Sequence, residues 1–176
     1  MAAARRAGRA RLLAAGSLLA AVVLILGALG LLDGLQGVVN RLGSGRWQPE
    51  QPTGPDHLTA RMRAVRAAVA KEFALPYGSG CYREDGGIAG GGEHPLGRAC
   101  DFMLGPAGVR ATGGRQQLGD RIVRWVRDHA DEYGIWYVIY RRHIWSSRHP
   151  ERGWLRMEDR GSITENHYDH VHISVY

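Results

Sequence analysis

The feature that most constrains this chain is an uncharged run near its N-terminus. Leu12 to Leu32 form a stretch of 21 residues rich in Leu, Ala, Val and Ile. A helix of that length rises about 30 Å, which is enough to cross the hydrocarbon core of a membrane. Four arginines precede the run and Asp33 follows it, a charge bias that keeps residues 1–11 in the cytoplasm. Residues 33–176 are therefore expected to fold outside the cytoplasm.

The run has two possible interpretations as a targeting segment: an uncleaved signal anchor or a cleaved signal peptide. A signal peptide usually has about 7–15 apolar residues before a small-x-small cleavage site. Here the run is longer, and the best site, after Gly30, lies inside it. We therefore favour a single-pass protein of the cell membrane, with a basic tail over 1–11 and a transmembrane helix over 12–32. Cleavage would instead release the same domain as a secreted protein.

The distribution of charge argues against a nucleic-acid partner. The chain carries 23 basic and 17 acidic residues, a net charge of +6. Four of the basic residues lie in the N-terminal tail, so the exported part has 19 basic residues against 17 acidic ones. Nonspecific nucleic-acid binding depends on a strongly basic surface. The basic excess here belongs largely to the targeting segment, and no nucleic-acid partner is expected.

The exported part divides into a linker and one domain. Residues 33–56 mix Gly, Pro and polar residues without periodicity, which is typical of a tether. Residues 57–176 contain helical and strand-like segments that are segregated along the chain rather than regularly alternating. That order predicts an α+β domain with a small antiparallel sheet and flanking helices.

Apolar periodicity locates the elements of this domain. Residues spaced by three and four positions predict a helix over about 57–73, with Asp56 as its N-cap. A second helix is predicted over about 115–133, and Gly134 is expected to end it. Runs of aromatic and β-branched residues predict strands over about 98–104, 135–141, 144–145 and 171–176.

The two cysteines, Cys81 and Cys100, are expected to form a disulfide. Pairing is favoured in an exported domain, whereas two separate buried thiols are the alternative. The bridge would close a loop of about 20 residues and contribute on the order of 3 kcal/mol in the chain-entropy model. It would also bring Arg83 near Asp101.

Three histidines near the C-terminus suggest a metal site. His167, His170 and His172 fall within six positions, and apolar residues alternate with the last two. Side chains alternate across a strand, so His170 and His172 would share one face. Two imidazoles on one face of a strand can converge on one ion.

A second cluster supplies a carboxylate. His94 and Asp101 lie seven positions apart behind a Gly-rich approach, and Asp101 is part of an apolar strand. A buried carboxylate needs a partner, usually a metal or an arginine. Together with the C-terminal histidines, this indicates a two-His, one-carboxylate set that suits zinc with an open fourth position. The chain lacks the HExxH motif of helix-borne zinc peptidases.

The pattern His-x-x-Gly-x-Ala-x-Asp, followed far downstream by His-x-His, resembles the Hedgehog/DD-peptidase group over about residues 57–176. That group includes zinc D-alanyl-D-alanine carboxypeptidases of the VanY type and murein endopeptidases. The resemblance implies that the zinc ligands are His94, Asp101 and His172. It further implies that His170 is the catalytic base and that Arg83, in Gly-Cys-Tyr-Arg, steadies the oxyanion.

The resemblance implies a hydrolase, a zinc metallopeptidase that acts on the stem peptides of cell-wall peptidoglycan. It leaves open whether the chain is a carboxypeptidase or an endopeptidase. His167 and Asp169 are expected to orient the ligands or contact substrate. The alternative is a non-catalytic zinc-containing binding or signalling module of the same fold.

Overall fold

The structure, a computed structural model, describes residues 47–86 and 92–176. The basic tail over 1–11 and the apolar run over 12–32, on which the predicted membrane anchor depends, lie outside the described residues. Within the described part of the chain, no helix is both long and apolar enough to cross a membrane.

The centre of the fold is a six-stranded sheet in which all neighbouring strands are antiparallel, so the α+β prediction is confirmed. The strand order is β1-β2-β6-β3-β4-β5, which places the C-terminal strand between β2 and β3. The strands are β1 (Ser79–Gly80), β2 (Ala99–Met103), β3 (Ile135–Tyr140), β4 (His143–Ser146), β5 (Leu155–Arg156) and β6 (His170–Val175).

The helices bury their apolar stripes against the sheet. They are α1 (Ala60–Glu72), α2 (Gly113–Asp128) and the short α3 (Ala130–Tyr133), and a 3-10 turn covers Pro150–Arg152. The buried side chains of α1 and α2 join Phe102, Val171 and Ile173 in one apolar cluster. Because side chains alternate along a strand, the other face of β2 and β6 is left for polar residues.

The first helix begins later than the sequence predicts. Thr59, not Asp56, is the N-cap: its hydroxyl accepts a hydrogen bond from the amide of Met62 at 3.1 Å. His57 has a φ of 55° and so cannot continue a helix from Asp56. The Asp56 carboxylate instead accepts from the amide of Leu58.

The second predicted helix is divided by His129. Its ring nitrogen Nδ1 donates to the carbonyl oxygen of Trp125 at 2.8 Å, and its ring stacks on the indole. The backbone amide of His129 donates to the same carbonyl oxygen at 3.0 Å, so side chain and backbone share this acceptor where α2 ends. Gly134 then ends α3 with a φ of 59°, as predicted.

The compact unit begins at Trp47, so the end of the segment predicted as a tether packs on the domain. Arg61 of α1 stacks on the Trp47 ring at 4.7 Å and forms a 3.0 Å salt bridge with Glu50. The sequence pattern missed this because the contacts lie between residues that share no periodicity. It also missed β1 and β5, two-residue strands that are too short for alternation to register.

Candidate metal centre

The central pair of strands brings together the two predicted motifs. Asp101 of β2 lies directly opposite His172 of β6 in the antiparallel register, and His170 lies opposite Met103. Opposed residues on one face of such a pair have Cβ atoms about 5 Å apart. His170, His172 and Asp101 therefore share the face that the helices leave uncovered.

A tight turn places His94 beside Asp101 and His172. The amide of Gly97 donates to the carbonyl oxygen of His94 at 3.0 Å, and Gly97 has a φ of 63°. A Cβ at this position would lie 2.0 Å from the carbonyl oxygen of His57. The glycine in His-x-x-Gly is therefore required both by backbone conformation and by close backbone packing.

The three donor atoms of His94, Asp101 and His172, which we call the metal centre, all lie within 4.8 Å of one another and are buried. Nε2 of His94 is 3.3 Å from Nδ1 of His172 and 3.2 Å from Oδ1 of Asp101. Nδ1 of His172 is 2.8 Å from the same oxygen. A tetrahedral ion with bonds near 2.05 Å separates its ligand atoms by about 3.3 Å. The spacing of the donors therefore fits one small cation.

The outer ring nitrogens orient these donors. Nδ1 of His94 donates to the carbonyl oxygen of Cys81, which turns Nε2 toward the Asp101 carboxylate. A cation between Nε2 and the carboxylate oxygen would be held by both. Nε2 of His172 lies 2.8 Å from the hydroxyl of Ser174, which can accept its proton and leave Nδ1 free for a metal.

The charge states favour metal binding. Burial would raise the pKa of Asp101, but close contacts with the imidazoles of His172 and His94 outweigh it and hold the pKa well below its usual range. Burial lowers the pKa of His172, although Asp101 opposes this effect. An anionic carboxylate and a neutral imidazole are the forms that ligate metals.

His170 forms a dyad with Asp169. Nδ1 of His170 donates to Oδ1 of Asp169 at 2.7 Å, while its Nε2 lies 3.4 Å from Oδ1 of Asp101. The other Asp169 oxygen accepts from the Thr164 hydroxyl at 2.6 Å and the Gly108 amide at 2.7 Å. Burial acts to raise the pKa of Asp169, but these hydrogen bonds lower it to about 2. An anionic Asp169 therefore fixes the ring of His170 beside the donors.

Arg83 approaches from the loop that the disulfide ties down. The Cys81–Cys100 bridge is formed, as predicted, and Cys100 is the neighbour of Asp101 in β2. Nη1 of Arg83 donates to Oδ2 of Asp101 at 2.9 Å, and the Arg83 side chain is 45% exposed. A guanidinium has five N–H donors, so this ion pair leaves others to face a ligand.

His167 lies beside the dyad with an unused polar atom. Its ring centroid is 4.8 Å from that of His170 and 5.5 Å from that of His172. The buried Nδ1 of His167 has no hydrogen-bond partner among the described residues. Burial is the largest of the effects that lower the pKa of His167 to about 2, so the ring is neutral. Its Nδ1 is available to a bound molecule.

The metal centre, His170, His167 and Arg83 line a cavity of about 410 Å³, within the range of small-molecule sites. Sequence reasoning missed several other lining residues, among them two that carry polar groups. Tyr137 of β3 stacks on His172 with 5.5 Å between ring centroids, and Arg160 lies on the loop before β6. Tyr137 was recognisable only as a strand residue, because its contact depends on β3 pairing with β6. Arg160 carries no spacing signal.

Comparison with known proteins gives two matches. Residues 54–168 match the family described as VldE, C-terminal domain; this stretch includes His94 and Asp101 and ends before His170. An uncharacterized secreted protein of Arthroderma benhamiae is 33% identical over 90 residues, which cover 43% of this chain and 37% of that protein. The chain thus spans little more than a third of the length of this relative. No solved structure matches the chain.

Proposed function

We propose that this chain, which belongs to the VldE C-terminal domain family, is a zinc-dependent peptidase of the Hedgehog/DD-peptidase type. The observation that carries the proposal is the convergence of His94, Asp101 and His172 beside the His170–Asp169 dyad. Histidines clustered on a surface would need no buried carboxylate. Here one buried carboxylate lies among the donor atoms, and a second accepts a hydrogen bond from the neighbouring imidazole. The arrangement separates a group that holds an ion from a group that moves a proton.

Zinc suits the donor set of the metal centre. Two imidazole nitrogens and one carboxylate oxygen form the three-ligand set of catalytic zinc sites, in which a fourth position stays open. When bound, zinc supplies a Lewis acid that polarises a carbonyl and makes a water more acidic. Ser174 and the Cys81 carbonyl hold the outer nitrogens of the two ligand rings, and this orientation typically strengthens metal affinity.

His170 is the proposed general base. Asp169 accepts the Nδ1 proton, so the lone pair of Nε2 faces the metal centre and can take a proton from the attacking water. The carboxylate also stabilises the imidazolium that results. The same Nε2 then returns the proton to the leaving amine of the cleaved peptide.

Arg83 is the proposed oxyanion stabiliser. Its ion pair with Asp101 anchors one guanidinium nitrogen next to the metal centre. The remaining donors are partly exposed to the cavity, where the carbonyl oxygen of a substrate would acquire negative charge. A fixed cation at that point favours the transition state over the ground state.

The substrate class follows from location and resemblance. Domain export predicted from residues 1–32, and the secreted relative, support an extracytoplasmic site of action. The Hedgehog/DD-peptidase resemblance supports peptidoglycan stem peptides as substrates, cleaved as a carboxypeptidase or as an endopeptidase. We propose that the apolar run over 12–32 tethers the domain to the outer face of the membrane.

The test separates metal binding from turnover. Purified full-length protein and its variants are analysed for zinc by elemental analysis and for cleavage of muropeptides, with and without chelator. His172→Ala is expected to lose zinc and activity, His170→Ala to keep zinc and lose activity, and His149→Ala, an exposed control, to keep both.

Two results would contradict the assignment. Zinc binding without cleavage by the wild type would favour the binding or signalling module. Loss of zinc in His170→Ala, with retention in His172→Ala, would exchange the roles of the two histidines.

A further inference from the structure

A second cavity of about 490 Å³ opens between α2 and the turn that joins β3 to β4. None of its lining residues lines the cavity at the metal centre. Four arginines contribute to its wall, and we call it the arginine cavity; they are Arg110, Arg124, Arg127 and Arg141. They come from the segment before α2, from α2 itself and from the β3–β4 turn, so the fold gathers them from separate parts of the chain.

The positive charge of this cavity is poorly compensated. Asp120 is the one carboxylate among its described lining residues. The nearest contact between Asp120 and Arg141 is 3.9 Å, and both side chains are more than a third exposed. Exposed pairs of that kind contribute little to stability. Four like charges around one cavity repel one another, which disfavours the compact state unless an anion is bound.

Aromatic rings hold two of the guanidinium groups. Arg110 lies 3.5 Å from the ring centroid of Tyr168, and Arg127 lies 5.8 Å from that of Trp154. Stacking engages the flat face of a guanidinium and leaves its N–H edge free to donate. The rings also provide apolar surface next to the charged groups. Such walls suit an anion that is attached to a sugar or polyol.

The backbone at Arg141 gives an independent indication. Arg141 and Arg142 form the two-residue turn between β3 and β4 with φ values of 49° and 64°. Such turns strongly prefer Asn-Gly, because other residues are strained there. Arg142 has a structural role: it donates to the Met157 carbonyl at 2.9 Å and to Asp159 at 3.0 Å. The backbone amide of Arg141 donates to the carbonyl oxygen of His167, but the ion pair of its side chain is the long contact to Asp120, and that side chain lines the cavity.

We infer that the arginine cavity binds a phosphate-bearing ligand, a phosphorylated sugar or polyol, either free or as a unit of a phosphodiester polymer. The planar N–H fork of arginine matches phosphate oxygens in pairs, and a tetrahedral phosphate can accept from several forks at once. A lone carboxylate would leave most of these donors unmatched. This inference does not depend on peptidase activity at the metal centre.

The experiment measures binding to the purified full-length protein by calorimetry. The probes are inorganic phosphate, glycerol 3-phosphate, glucose 1-phosphate and poly(glycerol phosphate), with acetate and a DNA oligonucleotide as comparison anions. The three phosphate esters are expected to bind, and acetate is not. Tighter binding of the polymer per phosphate unit identifies a polymer as the source of the phosphate, and equal binding identifies a free ester.

Two variants locate the site. Arg141→Asn and Arg124→Gln are each expected to weaken glycerol 3-phosphate binding about tenfold. Arg66→Gln removes an exposed arginine of α1 and should leave binding unchanged. Asn tolerates the left-handed backbone, so Arg141→Asn should also raise the melting temperature while binding falls.

Four binding outcomes would overturn the inference, and a lowered melting temperature would be a fifth. The four are no binding of any phosphate ester, equal weakening by Arg66→Gln, unchanged binding in both cavity variants, and DNA binding as tight as that of the phosphodiester polymer. The last result would show a nonspecific polyanion surface. A melting temperature lowered by Arg141→Asn would show that this side chain supports the fold rather than a ligand.

Discussion

In the metal centre the ionisable groups are buried and oriented by a ring of hydrogen bonds, whereas in the arginine cavity the four arginines are exposed and two of their guanidinium groups rest on aromatic rings. Asp101 has contacts with His94, His172 and Arg83, and each ligand ring has a partner at its outer nitrogen. Arg141 has one carboxylate at 3.9 Å. A buried site of the first kind cannot lose one group without exposing others to an unpaired environment. The second kind can lose one arginine and keep its fold.

Asp101→Asn tests the largest difference between the two sites. The substitution keeps the shape but removes the only anionic donor of the three-ligand set, so zinc content and peptide cleavage are both expected to fall to background. The matched control is Asp120→Asn, which removes the carboxylate of the arginine cavity. That control should keep zinc and cleavage and strengthen glycerol 3-phosphate binding. Retained zinc in Asp101→Asn would contradict the ligand assignment.

Asp169→Asn tests the orientation of the base. An amide at this position can donate to His170 instead of accepting, which would turn the ring tautomer and occupy Nε2 with a proton. Turnover should fall by a factor on the order of 1,000 to 10,000, as expected when a base is held in the wrong tautomer. Zinc content should not change, because one oxygen of Asp169 is bound by His170 and the other by Thr164, so neither is free to bind an ion. Thr164→Val, which removes one hydrogen bond to Asp169, should reduce turnover less.

Gly97→Ala asks how rigidly His94 is held. The left-handed backbone costs an alanine about 1–2 kcal/mol, and overpacking costs a further 1–3 kcal/mol. The free energy of unfolding should therefore fall by about 4 kcal/mol. Gly78→Ala is the matched control: its φ of 67° is nearly the same, but no atom lies within 4 Å of the new Cβ. It should show only the backbone part. Chemical denaturation of both variants measures the difference, and equal losses would show that the contact with His57 relaxes.

The residues that converge at the metal centre carry far more sequence signal than those of the arginine cavity. His170 and His172 alternate with apolar residues, and the glycine of His-x-x-Gly has a steric reason, so a linear pattern carries most of the metal centre. Asp169 was expected to orient the ligands or contact substrate, but its pairing with His170 was not predicted, because a hydrogen bond between adjacent residues has no spacing signature. The arginine cavity was not predicted at all. Its members lie on separate elements, and only the pairing of β3 with β4 and the packing of α2 bring them together.

The smallest expected effect concerns a second exposed ion pair, Arg63 and Asp56, in which the contacts are short, unlike the long contact between Arg141 and Asp120. Arg63 donates to both oxygens of Asp56 at 2.7 and 2.8 Å, and this side-chain hydrogen bond lowers the pKa of Asp56 from 3.8 to about 2. A carboxyl with a depressed pKa in the folded state stabilises the fold above the unfolded value, and the contribution is lost as pH falls from about 4 to 2.

Asp56→Asn should therefore flatten the fall in melting temperature across that interval and lower stability slightly at neutral pH. The side chains of Asp56 and Arg63 are both exposed, so salt should weaken the effect. In a double-mutant cycle with Arg63→Gln, the coupling between the two residues should be much smaller at pH 2 than at pH 5, because Asp56 is about half protonated in the folded state at pH 2. Coupling of the same size at both pH values would mean that packing of the Arg63 stem, and not its charge, stabilises this part of α1. The same cycle on Asp120 and Arg141 should give no measurable coupling at either pH, because a contact of 3.9 Å between exposed groups leaves both free to exchange their partner for solvent.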